Sequence, residues 1–167
     1  MDWLTLIRIS HVIGTVLGVG ATTFAEIFYL KFSKDGEINP LEHDVLKIFY
    51  QIIRLGLVIL VFSGFGYLIL WRLNFLGPQV FFSDRFLAKM TIILVLLAAA
   101  FAINFRLINL KVGSAITFTS WYMALILGIW RKSPLSYPII ILSYLVLIVI
   151  AYFVLEFFRN RISSKPK

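Results

Sequence analysis

The distribution of apolar residues constrains this chain most, because these residues form five runs that are each long enough to cross a lipid bilayer. A hydrocarbon core of about 30 Å needs about 20 apolar residues in a helix. In lipid every backbone amide must be satisfied within its own segment, so each run is predicted to be a transmembrane helix. The predicted bounds are about 3–30, 45–71, 84–107, 114–130 and 137–158.

The composition and the breaker residues agree with a membrane bundle. Hydrophobic residues make up 60% of the chain, whereas a soluble domain is typically about 45–50% apolar. Gly36 and Pro40 mark the first loop, and the Gly77-Pro78 pair marks the second. The first helix follows Asp2 rather than a basic cluster, and its apolar run is too long for a cleaved signal peptide. We therefore predict an all-α polytopic bundle that forms a single domain over residues 1–167.

The charge balance and the absence of cysteine exclude several kinds of function. The net charge is +8, but the basic residues lie at helix ends and in the tail, where they contact anionic lipid headgroups. This placement argues against nucleic acid as a partner and makes the lipid bilayer the expected one. Without cysteine the chain has no disulfide, no iron–sulfur cluster, no c-type haem attachment and no thiol nucleophile.

The distribution of lysine and arginine predicts the orientation of the chain. The side reached by the first and third loops and the tail holds nine basic residues, against four on the other side, and cytoplasmic loops carry the excess. The N-terminus is then outside and the C-terminus is cytoplasmic. The first set is Lys31, Lys34, Lys47, Arg106, Lys111, Arg159, Arg161, Lys165 and Lys167; the second is Arg72, Arg85, Arg131 and Lys132. Amphipathic tryptophans at the predicted outer ends agree with this orientation, namely Trp3, Trp71 and Trp130.

Ionisable residues in the inner half of the predicted membrane need partners, because unpaired charges are costly in lipid. Glu26 and Arg54 lie on adjacent helices at similar predicted depth, so a structural ion pair between them is the favoured hypothesis. A proton or ion relay through the same residues is the alternative. Glu156 is predicted to pair with Arg159 three residues later. Asn104 is predicted to form an interhelical hydrogen bond.

Small residues follow His11 along one face of the first helix, in the predicted outer half. Gly14, Gly18, Ala21 and Ala25 recur at spacings of three and four, so they share one stripe with the imidazole. In one interpretation the two glycines let another helix approach closely, and His11 hydrogen-bonds a neighbour. In the other, the flat stripe accommodates a porphyrin, and a neutral nitrogen of His11 ligates its iron.

Two cations in the predicted outer half bear on the second interpretation. Arg8 lies three residues before His11, and Lys89 lies about one turn into the third helix. With a porphyrin present, both would face the carboxylates of the ring. Without one, Lys89 would extend to the outer headgroups.

The segment Ile7-Arg8-Ile9-Ser10-His11-Val12-Ile13-Gly14 resembles the first helix of several small bacterial membrane families. These are the HemJ-type protoporphyrinogen oxidases, the CopD-type copper-resistance proteins and a family of uncharacterised membrane proteins. The segment Phe86-Leu87-Ala88-Lys89 is similar to the region where the HemJ family carries an important lysine. The resemblance implies that His11 is a haem ligand, that the cofactor is haem b, and that the location is a prokaryotic plasma membrane. Copper has less support, because clusters of Met and His are absent.

Three functional hypotheses follow from these observations. The leading one is a membrane protein with a tetrapyrrole or quinone site in its outer half; if it is an enzyme, an oxidoreductase is the natural class, since the cofactor would supply the chemistry. The second is a small transporter or channel-like protein whose polar pathway uses Glu26, Arg54 and Asn104. The third is a structural membrane subunit, in which Gly14 and Gly18 contact a helix of the same chain or of a second copy in a homo-oligomer.

Overall fold

The computed structural model describes residues 2–33, 38–73, 83–130 and 134–163. Within these ranges the chain is all-helical, and the five helices are long and apolar enough to cross a membrane, as predicted. They are α1 Trp3–Phe32, α2 Pro40–Arg72, α3 Asp84–Asn104, α4 Leu110–Ile129 and α5 Tyr137–Ser163. Several residues used in the predictions lie outside the described ranges, namely Lys34, Gly36, Gly77, Pro78, Arg131, Lys132, Lys165 and Lys167.

Helix α2 begins five residues earlier than predicted, because its first turn is capped. The Asn39 side chain accepts a hydrogen bond from the backbone N–H of Glu42, and the Glu42 carboxylate accepts one from the N–H of Asn39, both at 2.9 Å. This reciprocal arrangement is a capping box. Pro40 occupies the first helical turn, where its missing N–H costs nothing. The proline that marked a loop in the sequence therefore starts the helix.

The ends of the later helices also differ from the prediction. Helix α3 ends at Asn104 rather than near residue 107, since the chain turns at Arg106, which has a φ of 55°. Helix α4 then begins at Leu110, where the Asn109 side chain accepts a hydrogen bond from the N–H of Lys111 at 3.0 Å. Helix α5 continues to Ser163 and exceeds its predicted end by five residues.

Successive helices run in opposite directions, so the bundle has two ends, which we name after Trp3 and Ser33. At the Trp3 end, the Arg85 guanidinium donates to the carbonyl of Trp130 at 3.1 Å, and the Thr91 and Tyr137 hydroxyls are 3.2 Å apart. Helices α1 and α2 pack along one another from Ile7 against Gly66 near this end to stacked aromatic rings nearer the Ser33 end.

Helix α4 is the central helix of the bundle and packs against α1, α3 and α5. Its Trp121 is fully buried in a cluster with Leu57, Leu60 and Leu96, which joins α2 and α3 to α4. A second cluster joins α3, α4 and α5 and consists of Ala88, Ile92, Met123, Leu127, Ile140 and Tyr144. The outward faces of α2 and α5 carry large exposed apolar side chains, as expected of helices that face lipid.

Candidate functional site

A chain of hydrogen bonds near the Trp3 end joins the first three helices through His11. On one side of the imidazole, Nδ1 lies 2.8 Å from the hydroxyl oxygen of Ser63 in α2. On the other side, Nε2 lies 3.0 Å from the ammonium nitrogen of Lys89 in α3. The sequence analysis placed His11 and Lys89 in the same half of the bundle, and the structure brings them into direct contact.

The position of Ser63 determines which ring nitrogen of His11 carries the proton. The Ser63 hydroxyl donates to the backbone carbonyl of Leu60 at 3.0 Å. A hydroxyl has a single proton to donate, so its oxygen accepts from His11 Nδ1–H. Nε2 then carries the lone pair and accepts a hydrogen bond from the Lys89 ammonium. His11 is therefore neutral, with Nδ1 fixed and Nε2 directed towards α3.

The surroundings of the His11–Lys89 contact are aromatic and basic. The ring of Tyr67 meets the imidazole edge-on, with the ring centroids 5.6 Å apart. A methyl group built on Gly128 of α4 would lie 3.8 Å from the Lys89 nitrogen, an ordinary van der Waals distance, so α4 borders the lysine on this side. In the part of the chain that the structure describes, no carboxylate lies within 4 Å of Lys89. Arg8 is exposed on α1, away from the core of the bundle.

The glycine stripe of α1 is covered by other helices. A methyl group on Gly14 would lie 2.9 Å from the backbone nitrogen of Leu60 and 3.0 Å from the carbonyl oxygen of Gly56. A methyl group on Gly18 would overlap the ring of Trp121. The two glycines therefore bring α2 and α4 against α1 at distances that only glycine permits. This contact also sets Ser63 of α2 beside His11.

These contacts test whether the residues present fit a tetrapyrrole. The donor fits: a neutral histidine whose Nδ1–H is held by a hydrogen bond presents Nε2 in the way that metal-ligating histidines do. The stripe does not fit as a face for the ring, because Gly14 and Gly18 are already packed against Gly56 and Trp121. Any tetrapyrrole on His11 would therefore meet Nε2 on the side that Lys89 occupies.

A second cluster of charges lies towards the Ser33 end, and we call it the inner charge network; it consists of Glu26, Lys111, Glu156 and Arg159. The buried Arg159 guanidinium donates to the buried Glu26 carboxylate at 2.9 Å. Lys111 and Glu156 form an ion pair at 2.5 Å. The predicted contact between Glu156 and Arg159 is present at 3.8 Å. The network joins α1, α4 and α5, and its formal charges sum to zero.

The network gives Glu26 a different partner from the predicted Arg54. Arg54 lies on the exposed side of α2, and its guanidinium donates to the side-chain carbonyl of Asn104 in α3 at 2.9 Å. This is the interhelical hydrogen bond expected of Asn104. Arg159 reaches Glu26 because it lies on the side of α5 that faces the bundle. Its guanidinium also donates to the Ser114 hydroxyl at 2.7 Å and lies 5.2 Å from the centroid of the Tyr29 ring.

Sequence reasoning missed the roles of Ser63 and Arg159 in these two clusters. Ser63 lies nine residues before the end of α2 and His11 lies eight residues after the start of α1, so equal depth was a usable signal. Arg159 was assigned to a local pair with Glu156, and the length of its side chain allows contacts with both Glu156 and Glu26.

Compared with known proteins, the chain matches no family model, no curated protein and no solved structure.

Proposed function

We propose that this chain is a multi-pass protein of a prokaryotic plasma membrane, with its N-terminus outside, that binds haem or another tetrapyrrole through His11. The observation that carries the proposal is the fixed, neutral imidazole, whose Nε2 lone pair is directed towards α3 and accepts from Lys89. Hydrogen-bonding of the second ring nitrogen is the usual support of a metal-ligating histidine. The resemblance of α1 and α3 to the HemJ-type family supports the same pair of residues.

Each residue of the site has a role in this proposal. Ser63 holds His11 in one tautomer and one orientation. Lys89 gives up its hydrogen bond with Nε2 and pairs instead with a carboxylate of the ring. That hydrogen bond is charge-assisted and therefore stronger than one to a neutral nitrogen. Gly14, Gly18 and Gly56 keep α2 close enough for Ser63 to reach the imidazole, rather than lining the ligand. When bound, the tetrapyrrole supplies the redox chemistry, and the protein supplies ligation and orientation.

The visible spectrum of the purified protein tests tetrapyrrole binding. Protein expressed with a haem precursor and purified in mild detergent is expected to show a Soret band. His11→Ala should lose the band, and Ser63→Ala should weaken haem affinity by about 10–100-fold, as loss of a histidine's outer partner does. His43→Ala is the matched control, because His43 lies exposed at the start of α2. A colourless wild-type protein, or a band unchanged in His11→Ala, would exclude the proposal.

The orientation in the membrane has its own test. Reporter fusions are expected to place residue 1 outside and the loop after Ser33 in the cytoplasm, because the basic residues are concentrated on that side. Alkaline phosphatase should be active when fused at the N-terminal side of α1, and a fluorescent protein should fold when fused after residue 163. The opposite pattern would reverse the orientation and place His11 in the cytoplasmic half.

The transporter alternative has less support from the side-chain contacts. Glu26 is already held by Arg159, and Arg54 is exposed and bound to Asn104. These contacts satisfy the charged groups that a polar pathway would use. We therefore interpret the inner charge network as a structural connection between helices.

A further inference from the structure

Arg54 and Asn104 form a polar bridge between α2 and α3 on the exposed surface of the bundle. The Arg54 guanidinium donates to the side-chain carbonyl of Asn104 at 2.9 Å, and both residues are exposed. A guanidinium carries five N–H donors, so most of them stay available after this hydrogen bond. The bridge therefore holds a cation in one position and leaves it open to a ligand.

The bridge lies at the inner edge of the hydrocarbon layer. A layer about 30 Å thick that begins at Trp71 ends near Gln51, since an α-helix rises about 1.5 Å per residue. The Cα atom of Arg54 then lies about 4.5 Å inside this edge. Helical side chains lean towards the N-terminus, which for α2 is the Ser33 end, so the guanidinium extends towards the level of the lipid headgroups.

A second arginine projects from the end of α3 in an unusual backbone conformation. The N–H of Leu107 donates to the carbonyl of Ala102 at 2.8 Å, and the N–H of Arg106 donates to the carbonyl of Ile103 at 3.1 Å. These two bonds form a Schellman motif, in which the residue at the position of Arg106 is usually glycine. Arg106 adopts the required positive φ of 55°, with a backbone strain that glycine would avoid. Strained residues of this kind are concentrated at functional sites.

The described carboxylates do not neutralise these two arginines. In the part of the chain that the structure describes, no carboxylate lies within 4 Å of Arg54 or Arg106. Asp44 lies ten residues before Arg54, which is about 15 Å along α2. The other described carboxylates are at the Trp3 end, in the inner charge network or in the α2 capping box, namely Asp2, Asp84, Glu26, Glu156 and Glu42. The two arginines therefore match an anion from outside the chain.

An apolar furrow between α2 and α3 leads from the bridge towards the Trp3 end. Helix α2 packs on α1, whereas α3 packs on α4 and α5, so α2 and α3 meet through the Trp121 side chain that lies between them. Partly buried apolar side chains of both helices pack on this cluster and form the sides of the furrow, namely Ile53, Val61, Ile93, Leu97 and Ala100. A cationic site at headgroup level that continues into an apolar furrow fits a lipid with an anionic head.

We propose that Arg54, Asn104 and Arg106 bind the headgroup of an anionic phospholipid, whose acyl chain lies in the furrow between α2 and α3. The phosphate accepts charge-assisted hydrogen bonds from the guanidinium groups, for which the planar arginine fork is better suited than lysine. Basic pockets between transmembrane helices are known sites of anionic lipids. The lipid joins α2 to α3 along a line where the two helices do not pack closely. This site rests on the placement in a membrane and is independent of tetrapyrrole binding.

The dependence of stability on lipid headgroup tests the site. Delipidated protein in a mild nonionic detergent is mixed with phosphatidylglycerol or with phosphatidylcholine of the same acyl chains, and the melting temperature is measured. Phosphatidylglycerol is expected to raise the melting temperature more, because only its headgroup carries a net negative charge. Inorganic phosphate at the same concentration should give no shift, since it cannot occupy the furrow.

Three variants separate a fixed site from general attraction between a basic surface and anionic lipid. Arg54→Lys keeps the charge and removes the fork, so its affinity for phosphatidylglycerol should fall about tenfold, the usual effect of losing a hydrogen bond to a charged group. Arg106→Gly should raise the melting temperature of the lipid-free protein, because glycine relieves the strain, and should weaken phosphatidylglycerol binding. Lys31→Gln is the matched control, since it removes an exposed cation of α1 at the same end of the bundle, and its affinity should be nearly unchanged.

Several results would overturn the proposal. Equal shifts with both lipids, or equal losses of affinity in Lys31→Gln and Arg54→Lys, would reduce the interaction to ordinary contact with headgroups. A shift with inorganic phosphate as large as that with phosphatidylglycerol would make the ligand a free anion. Undiminished phosphatidylglycerol binding by Arg106→Gly would contradict the role of the second arginine.

Discussion

Replacing Gly56 with alanine is expected to lower the free energy of unfolding by about 1–3 kcal/mol, the usual cost of forcing extra volume into a packed interior. The added methyl group would lie 2.9 Å from the carbonyl oxygen of Gly14 and 2.9 Å from the amide nitrogen of Gly18. Both are backbone atoms of α1, so neither can rotate away. The two helices would have to separate along their contact.

The chain supplies matched controls for this substitution. A methyl group on Gly20 of α1 or on Gly64 of α2 meets no other atom within 4 Å. Alanine is a better helix former than glycine by about 1 kcal/mol, so Gly20→Ala and Gly64→Ala should be neutral or slightly stabilising. Titration with sodium dodecyl sulfate in mixed micelles, followed by circular dichroism, gives all three values. If Gly56→Ala behaved like Gly64→Ala, the close approach of α1 and α2 would be wrong.

The glycine contact links packing to the candidate site. Ser63 reaches His11 only because α2 lies against α1, and Gly14 and Gly56 meet about two turns from Ser63. A shift of α2 of a few tenths of an ångström would lengthen the Ser63 hydrogen bond and loosen the imidazole. The small residues that follow His11 therefore act on the histidine through the neighbouring helix.

The sequence contains the depth of each residue in the bundle but not the direction in which its side chain points. Counting residues from the helix ends was enough to place His11 and Lys89 at one level, because both lie near well-marked starts of helices. It was also enough to predict five helices, since each apolar run is long and separated from the next by polar or turn residues. Which way a side chain points around its helix depends on packing against other helices.

The partner of Glu26 shows that depth, too, was estimated only coarsely where a helix end was misplaced. Measured from the level of His11 and Ser63, Arg54 lies about 13.5 Å towards the Ser33 end and Glu26 about 22.5 Å, so their Cα atoms differ in depth by about 9 Å. The predicted start of α2 was five residues late, which obscured this difference. The capping box of Asn39 and Glu42 was present in the sequence, but Pro40 was interpreted as a breaker rather than as a first-turn residue.

Replacing Arg159 with methionine is expected to destabilise the bundle by about 3–5 kcal/mol, the usual cost of leaving a buried charge without its partner. The guanidinium is the ion-pair partner of the Glu26 carboxylate, and its side chain is only 9% exposed. It also donates to Ser114 and lies over the Tyr29 ring, so its loss removes three contacts that tie α5 to α1 and α4 at the Ser33 end. The same detergent titration measures the change.

A double-mutant cycle distinguishes the observed pair from the one that depth alone suggested. Glu26→Leu combined with Arg159→Met should recover much of the stability lost in Arg159→Met, because two apolar side chains can replace a buried ion pair at little cost. Glu26→Leu combined with Arg54→Met should show no coupling, since Arg54 binds Asn104 instead. Coupling of Glu26 with Arg54 but not with Arg159 would mean that α5 does not close the bundle at the Ser33 end, and that the inner charge network does not form as described.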